Sequence, residues 1–104
     1  MKIDVTQVLH NLKGEPLYEI NPETQEKEGI TLRTILSGAL LNMPTETDGS
    51  KKAAAWVLAM KIYEAETTVE ITTTECAELK NKVGKQYTPM IVGQAWNMLE
   101  KAAD

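Results

Sequence analysis

The sequence predicts a mainly helical α+β fold: about four helices over residues 31–43, 50–65, 73–84 and 88–103, a small N-terminal β-hairpin or sheet (2–5, 16–20, 29–31), and a short extended segment at 67–71. Three observations predict it. From Thr31 onward, apolar residues recur at the 3.6-residue period of a helix. A helix start signal precedes each of those runs. The first thirty residues instead alternate apolar with polar and are interrupted by Gly and Pro, the pattern of short strands and turns.

At the N-terminus, Ile3 and Val5 share one face of a strand, with Lys2 and Asp4 on the other. Residues 6–14 admit two readings. Thr6 can cap a helical turn through Val8, Leu9 and Leu12 that Gly14 ends, or Lys13-Gly14 can turn a hairpin into Pro16-Leu17-Tyr18-Glu19-Ile20. The alternation of the second half favours the hairpin. Asn21 to Gly29 has turn formers at both ends and charge between, hence an exposed loop, with a return strand at Gly29-Ile30-Thr31.

Thr31 caps the first helix, whose apolar positions are Ile35, Leu36, Ala39, Leu40 and Met43. Gly38 inside it weakens the helix by about 1 kcal/mol and points to a neighbour in close approach. Pro44 ends the helix, because the residue before proline avoids the α region. Ser50 or Asp48 caps the second helix, whose run Ala53-Ala54-Ala55-Trp56-Val57-Leu58-Ala59-Met60 is apolar on nearly every side and so belongs at the centre of the fold. Thr67 to Ile71 is β-branched and alternating. Thr72 and Glu75 form a capping box for the third helix, with Cys76, Leu79 and Val83 on one face and Gly84 as its C-cap. Thr88-Pro89 starts the fourth, with a stripe of Ile91, Ala95, Met98, Leu99 and Ala102 that Val92 and Trp96 widen.

At 104 residues, with 42% hydrophobic and 25% charged residues, the chain reads as one domain, 1–104, with one modest core. It has no Phe, so Leu, Ile, Val, Ala and Met fill the interior. The net charge of −4 argues against a surface built to neutralise phosphates. The charges are uneven: residues 1–30 hold three Lys against six acids, while Lys80, Lys82 and Lys85 crowd one short stretch. One cysteine allows no intrachain disulfide, which fits a reducing compartment. Asp4 stands where a signal peptide needs an apolar run, and no stretch has the length of a membrane helix, so a cytosolic location is expected.

The residue types that carry chemistry are sparse. With His10 as the only histidine and Cys76 as the only cysteine, neither a histidine metal cluster nor a conventional triad can be assembled within one chain. His10 reads as a surface or edge residue. Cys76, on an apolar stripe, reads as a small core hydrophobe. Glu64, Glu66 and Glu70 read as solvated acids. Gly84-Lys85-Gln86 lacks both the earlier glycine and the Ser/Thr of a phosphate-binding loop. No catalytic, metal or cofactor site is therefore expected, and no enzyme. Two binding readings remain. Trp56, Trp96, Tyr87 and Met90 are candidate interface anchors wherever they are exposed, although burial in the core is commoner for both Trp. Met43, Met60, Met90 and Met98 can likewise line a groove or fill the core. Alternatively, the helix pair 72–103 can act as a DNA-binding helix–turn–helix, with Lys85 on phosphate and Gln94 reading bases. The connecting segment is long for that motif, and the reading helix holds no Arg.

Three segments carry a family likeness: Met1-Lys2-Ile3-Asp4-Val5-Thr6-Gln7-Val8-Leu9; Ile30-Thr31-Leu32-Arg33-Thr34-Ile35-Leu36; and Val83-Gly84-Lys85-Gln86-Tyr87-Thr88-Pro89-Met90-Ile91-Val92-Gly93-Gln94-Ala95-Trp96. Together they resemble a family of small uncharacterised proteins of tailed bacteriophages and prophages. The resemblance brings no activity and no site residues. It implies a viral origin, expression in the bacterial host cytoplasm, and a role in assembly or in host takeover. The function expected is that of a non-enzymatic accessory protein, an assembly factor or an inhibitor of a host protein. Its partner would be a host or phage protein or a second copy of itself, with no cofactor and no membrane.

Overall fold

The computed structural model describes residues 1–20, 22–42 and 46–102. Its order is β1 (Lys2–Asp4), β2 (Tyr18–Ile20), β3 (Lys27–Gly29), α1 (Leu32–Leu41), α2 (Gly49–Glu64), β4 (Thr68–Glu70), α3 (Thr73–Gln86) and α4 (Pro89–Glu100). The fold is α+β and mainly helical, as the periodicity predicts. The expected helix ends at Met43 and Ala103, and the stop signal Pro44, lie outside the described residues.

The β elements fall near their predicted places but pair differently from a single N-terminal sheet. β1 is antiparallel to β4, with Ile3 opposite Val69, while β2 is antiparallel to β3, with Tyr18 opposite Gly29. The reason lies in which side chains need cover. Ile3, Val5, Val69 and Ile71 are all buried, so the alternation of both segments, far apart in the chain, turns toward the same core. The ladder extends beyond the strands through Ile71 N–H to Met1 O and Val5 N–H to Thr67 O.

Of the two readings for residues 6–14, the structure adopts the hairpin. His10 bridges Pro16, and Leu17 N–H donates to Leu9 O. Between them Asn11 Oδ1 accepts from the N–H groups of Lys13 and Glu15, and Gly14 takes φ +87°, a conformation that glycine adopts without steric cost. The arm Val8–His10 is threaded on its other side by the return strand: Val8 bridges Thr31, and Leu9 N–H donates to Ile30 O.

Helix starts follow the sequence closely. Thr31 Oγ1 accepts from Thr34 N–H, Asp48 Oδ1 from Ser50 N–H, and Thr72 and Glu75 exchange both bonds of a capping box. Thr88 is the N-cap of α4, but its hydroxyl makes no capping bond; Pro89 fills the first position. Gly84 is not a C-cap. α3 runs past it to Gln86, and the glycine instead makes room for the Trp96 ring, whose Cζ2 lies 3.2 Å from where a Cβ would sit.

α1 occupies the centre and packs against both α2 and α3, burying Leu32, Ile35, Leu36, Ala39 and Leu40. α2, expected there, is peripheral. It buries only Ala55, Leu58, Ala59 and Ile62. Leu58 and Ile62 fill its contact with the core beside two alanines, while Trp56, Val57 and Tyr63 face outward. None of the helices described is long and apolar enough to cross a membrane.

Gly38 has the close neighbour its position predicts. Tyr87 Oη, which donates to Ile35 O at 3.3 Å, stands 2.6 Å from where a Cβ would be. Gly38→Ala is expected to cost about 1–2 kcal/mol in urea denaturation, because the displaced hydroxyl loses its bond and this outweighs the helix propensity gained. In a Tyr87→Phe background the same change loses most of that cost, since the colliding atom is gone. Equal costs in both backgrounds contradict the packing account.

Candidate functional site

The four anchors proposed from sequence do not converge on one patch. Trp56 stands on α2 with 56% of its surface exposed, and Met90 and Trp96, each 39% exposed, stand on α4. Tyr87 is half-buried at the end of α3, bonded to α1 through Ile35 O. Burial holds its phenol proton more tightly than usual, raising its pKa above 10.0, and the nearby Glu19 carboxylate adds to the effect.

Trp96 has a structural partner. Its Nε1–H donates to Lys80 O at 3.0 Å, its ring lies on Gly84, and the adjacent ion pair Lys80–Glu100 spans the same two helices at 3.4 Å. It is a lock between α3 and α4 with one edge in solvent. Gln94, the candidate base reader, is engaged in a different way. Its Oε1 accepts from His10 N–H at 2.8 Å, and its Nε2 donates to His10 O at 2.7 Å and Met90 O at 2.9 Å. This two-way clasp satisfies one backbone residue of the arm and fastens the N-terminal hairpin to α4.

Lys85 stands at a cleft of about 320 Å³ between α2 and α3, floored by Leu40, Ala55 and Leu58 and edged by Lys51, Lys82, Glu46 and Glu78. Cys76 is buried in the core, and Glu64, Glu66 and Glu70 are exposed. The His10 side chain belongs to an exposed residue. Among the described residues no group of three or more His, Cys, Asp or Glu is arranged to hold a metal ion.

The most coherent surface lies where the sequence reading placed the centre of the core. On α2, Trp56, Val57 and Tyr63 are 56%, 66% and 67% exposed. Val57 and Tyr63 were not singled out by sequence reasoning, because an all-round apolar helix reads as buried. The signal that separates them is spacing: Ala55, Leu58, Ala59 and Ile62 form one helical stripe by themselves, which leaves Trp56 and Tyr63 on a second.

Comparison with protein-family models, curated proteins and solved structures returned no match.

Replacing Gln94 by Ala removes both bonds to His10 and is expected to cost about 1–2 kcal/mol of stability. Hydrogen exchange at Leu9 and His10 should accelerate, while that of the α3 core stays unchanged. An arm equally protected in the variant shows that the clasp does not hold it.

Proposed function

We propose that this chain is a non-enzymatic accessory protein of phage type that works in the bacterial cytoplasm by protein–protein contact, as an assembly factor or an inhibitor of a host protein. One observation carries the reading: large apolar side chains stand together in solvent on the outer side of α2. A fully buried Trp covers 150–250 Å², so the uncovered half of Trp56 amounts to about 100 Å², and shielding it contributes roughly 2–3 kcal/mol. Trp and Tyr are also the residues that most often dominate interface energetics. Large apolar side chains exposed along one helix are a common mark of contact sites. The resemblance to small phage proteins points the same way.

The reading is tested by expressing the tagged chain and a Trp56→Ser/Tyr63→Ser variant in bacteria, cross-linking, and identifying what co-purifies. The expected outcome is a defined protein, host-encoded, phage-encoded or a second copy, cross-linked to the wild type and lost from the variant, with circular dichroism showing both folded. Identical recovery with both proteins, or strong retention on duplex DNA with no protein captured, overturns it.

A further inference from the structure

α2 and α3 both pack on α1 and scarcely touch each other, so the cleft between them stays open. Its volume of about 320 Å³ is at the low end of the range for small-molecule sites, about 300–1,000 Å³. The lining runs from Lys51 to Leu58 on α2 and from Glu78 to Lys85 on α3, two turns of each helix or about 10 Å. That is too short to seat a partner helix and long enough for a small molecule. The floor is apolar: Leu40, Ala55 and Leu58 border the cleft and are otherwise buried.

The cleft has a direction. α3 ends beside the last turn of α1, where Gln86 Nε2 donates to Ala39 O. α2 runs the other way along α1, because Arg33, at the start of α1, holds the carbonyls of Ala65 and Glu66 just past the end of α2. Lys51, early in α2, and Lys85, late in α3, therefore lie at the same end, with Lys82 one turn further in, while Leu58 and Glu78 mark the other end. Among the described residues none of these three lysines is in an ion pair. Two acids share the cleft and do not cancel them. Glu46 turns its Oε1 to the N–H of Asp48 at 2.9 Å, and Glu78 stands two turns from Lys85. Three ammonium groups and two carboxylates leave the cleft one positive charge in excess, in a chain whose net charge is −4. A concave surface with apolar walls focuses such a charge on whatever enters it.

We propose that this cleft binds a small amphipathic carboxylate, with its head at the Lys51, Lys82 and Lys85 end and its apolar body on Leu40, Ala55 and Leu58. One negative charge matches the excess in the cleft, whereas a dianion brings a second charge up against Glu46, and an acid at both ends of a ligand meets Glu78. A hydrocarbon without a head forgoes the lysines, and an inorganic anion forgoes the floor, so both parts are needed for binding. The site is separate from the exposed aromatic face of α2, and the two stand or fall independently.

Titration of the isotope-labelled full chain with hexanoate, followed by amide NMR shifts, tests the proposal. Saturable shifts are expected at Ala55, Leu58, Asn81 and Lys82, with a Kd of about 10 mM or tighter for so small a probe. Hexylammonium, 1-hexanol and inorganic phosphate should each bind there about tenfold more weakly or not at all. Lys82→Glu/Lys85→Glu should weaken hexanoate about tenfold or more, and Lys82→Arg/Lys85→Arg should keep it, since the charge remains. Ala54→Leu, at an exposed position on the cleft wall, should block it by filling the space. Circular dichroism shows whether each variant is folded. Hexylammonium or 1-hexanol binding as tightly as hexanoate, indifference to the Lys→Glu pair in a folded variant, shifts centred on Trp56 and Tyr63 instead of the cleft, or no saturation below about 100 mM overturns the proposal.

Discussion

The first turn of α1 starts inside the protein, and its backbone N–H groups have no partners within the helix. In water they would be solvated; here each must find an acceptor or cost about 1–3 kcal/mol. The N-terminal segment supplies two. Leu32 N–H donates to Gln7 O and Arg33 N–H to Val5 O, while Thr31 satisfies the next two through its hydroxyl to Thr34 and its carbonyl to Ile35. That requirement fixes where residues 5–7 run, and with them β1 on one side and the Val8–His10 arm on the other. From the same turn, Arg33 extends its guanidinium to the carbonyls of Ala65 and Glu66, tying down the chain just past the end of α2. One helical turn thus joins the N-terminal segment, α1, α2 and the approach to β4.

With α1 fastened in this way, the other helices take positions relative to it. α3 lies against it with Cys76, Leu79 and Val83 inward, and two side chains from the end of α3 reach across: Tyr87 to Ile35 O, and Gln86 Nε2 to Ala39 O at 2.8 Å. α4 then closes on α3 through Trp96 and holds the arm through Gln94. α2 meets α1 by the stripe Ala55, Leu58, Ala59 and Ile62, and its outer side carries the exposed Trp56, Val57 and Tyr63. The surface proposed for contact is therefore a consequence of the packing order. α1 takes the central place, and the helix richest in exposed aromatic area is left at the rim.

What the sequence made legible was what its local physics decides. Capping at Thr31 and Thr72 depends on residues three apart, and the stripes on α1, α3 and α4 depend on a period, so both can be read without the fold. The Lys13-Gly14 turn was readable for the same reason. What escaped depends on distant partners. Nothing near Ile3 indicates that its cross-strand neighbour is Val69 rather than a residue of the adjacent hairpin. Gly84 looks like a helix terminator until Trp96, twelve residues on, is seen to require the space. Gln94 looks like a free polar side chain until the arm folds back to meet it. α2 was misplaced for a subtler reason: all-round apolarity is compatible with burial on every face or with a second, unsatisfied face, and only the position of α1 decides between them.

Native-state hydrogen exchange at the start of α1 tests this account most directly. First-turn amides of a helix ordinarily exchange fast, lacking intrahelical acceptors. If the N-terminal carbonyls hold this turn, the Leu32 and Arg33 amides should be protected to within about tenfold of the interior amides of Leu36 and Leu40, a free-energy gap of about 1.4 kcal/mol. Exchange at Leu32 and Arg33 close to that of an unstructured chain, with Leu36 and Leu40 protected, would contradict it: the segment from Val5 to Gln7 would then not be what holds the central helix.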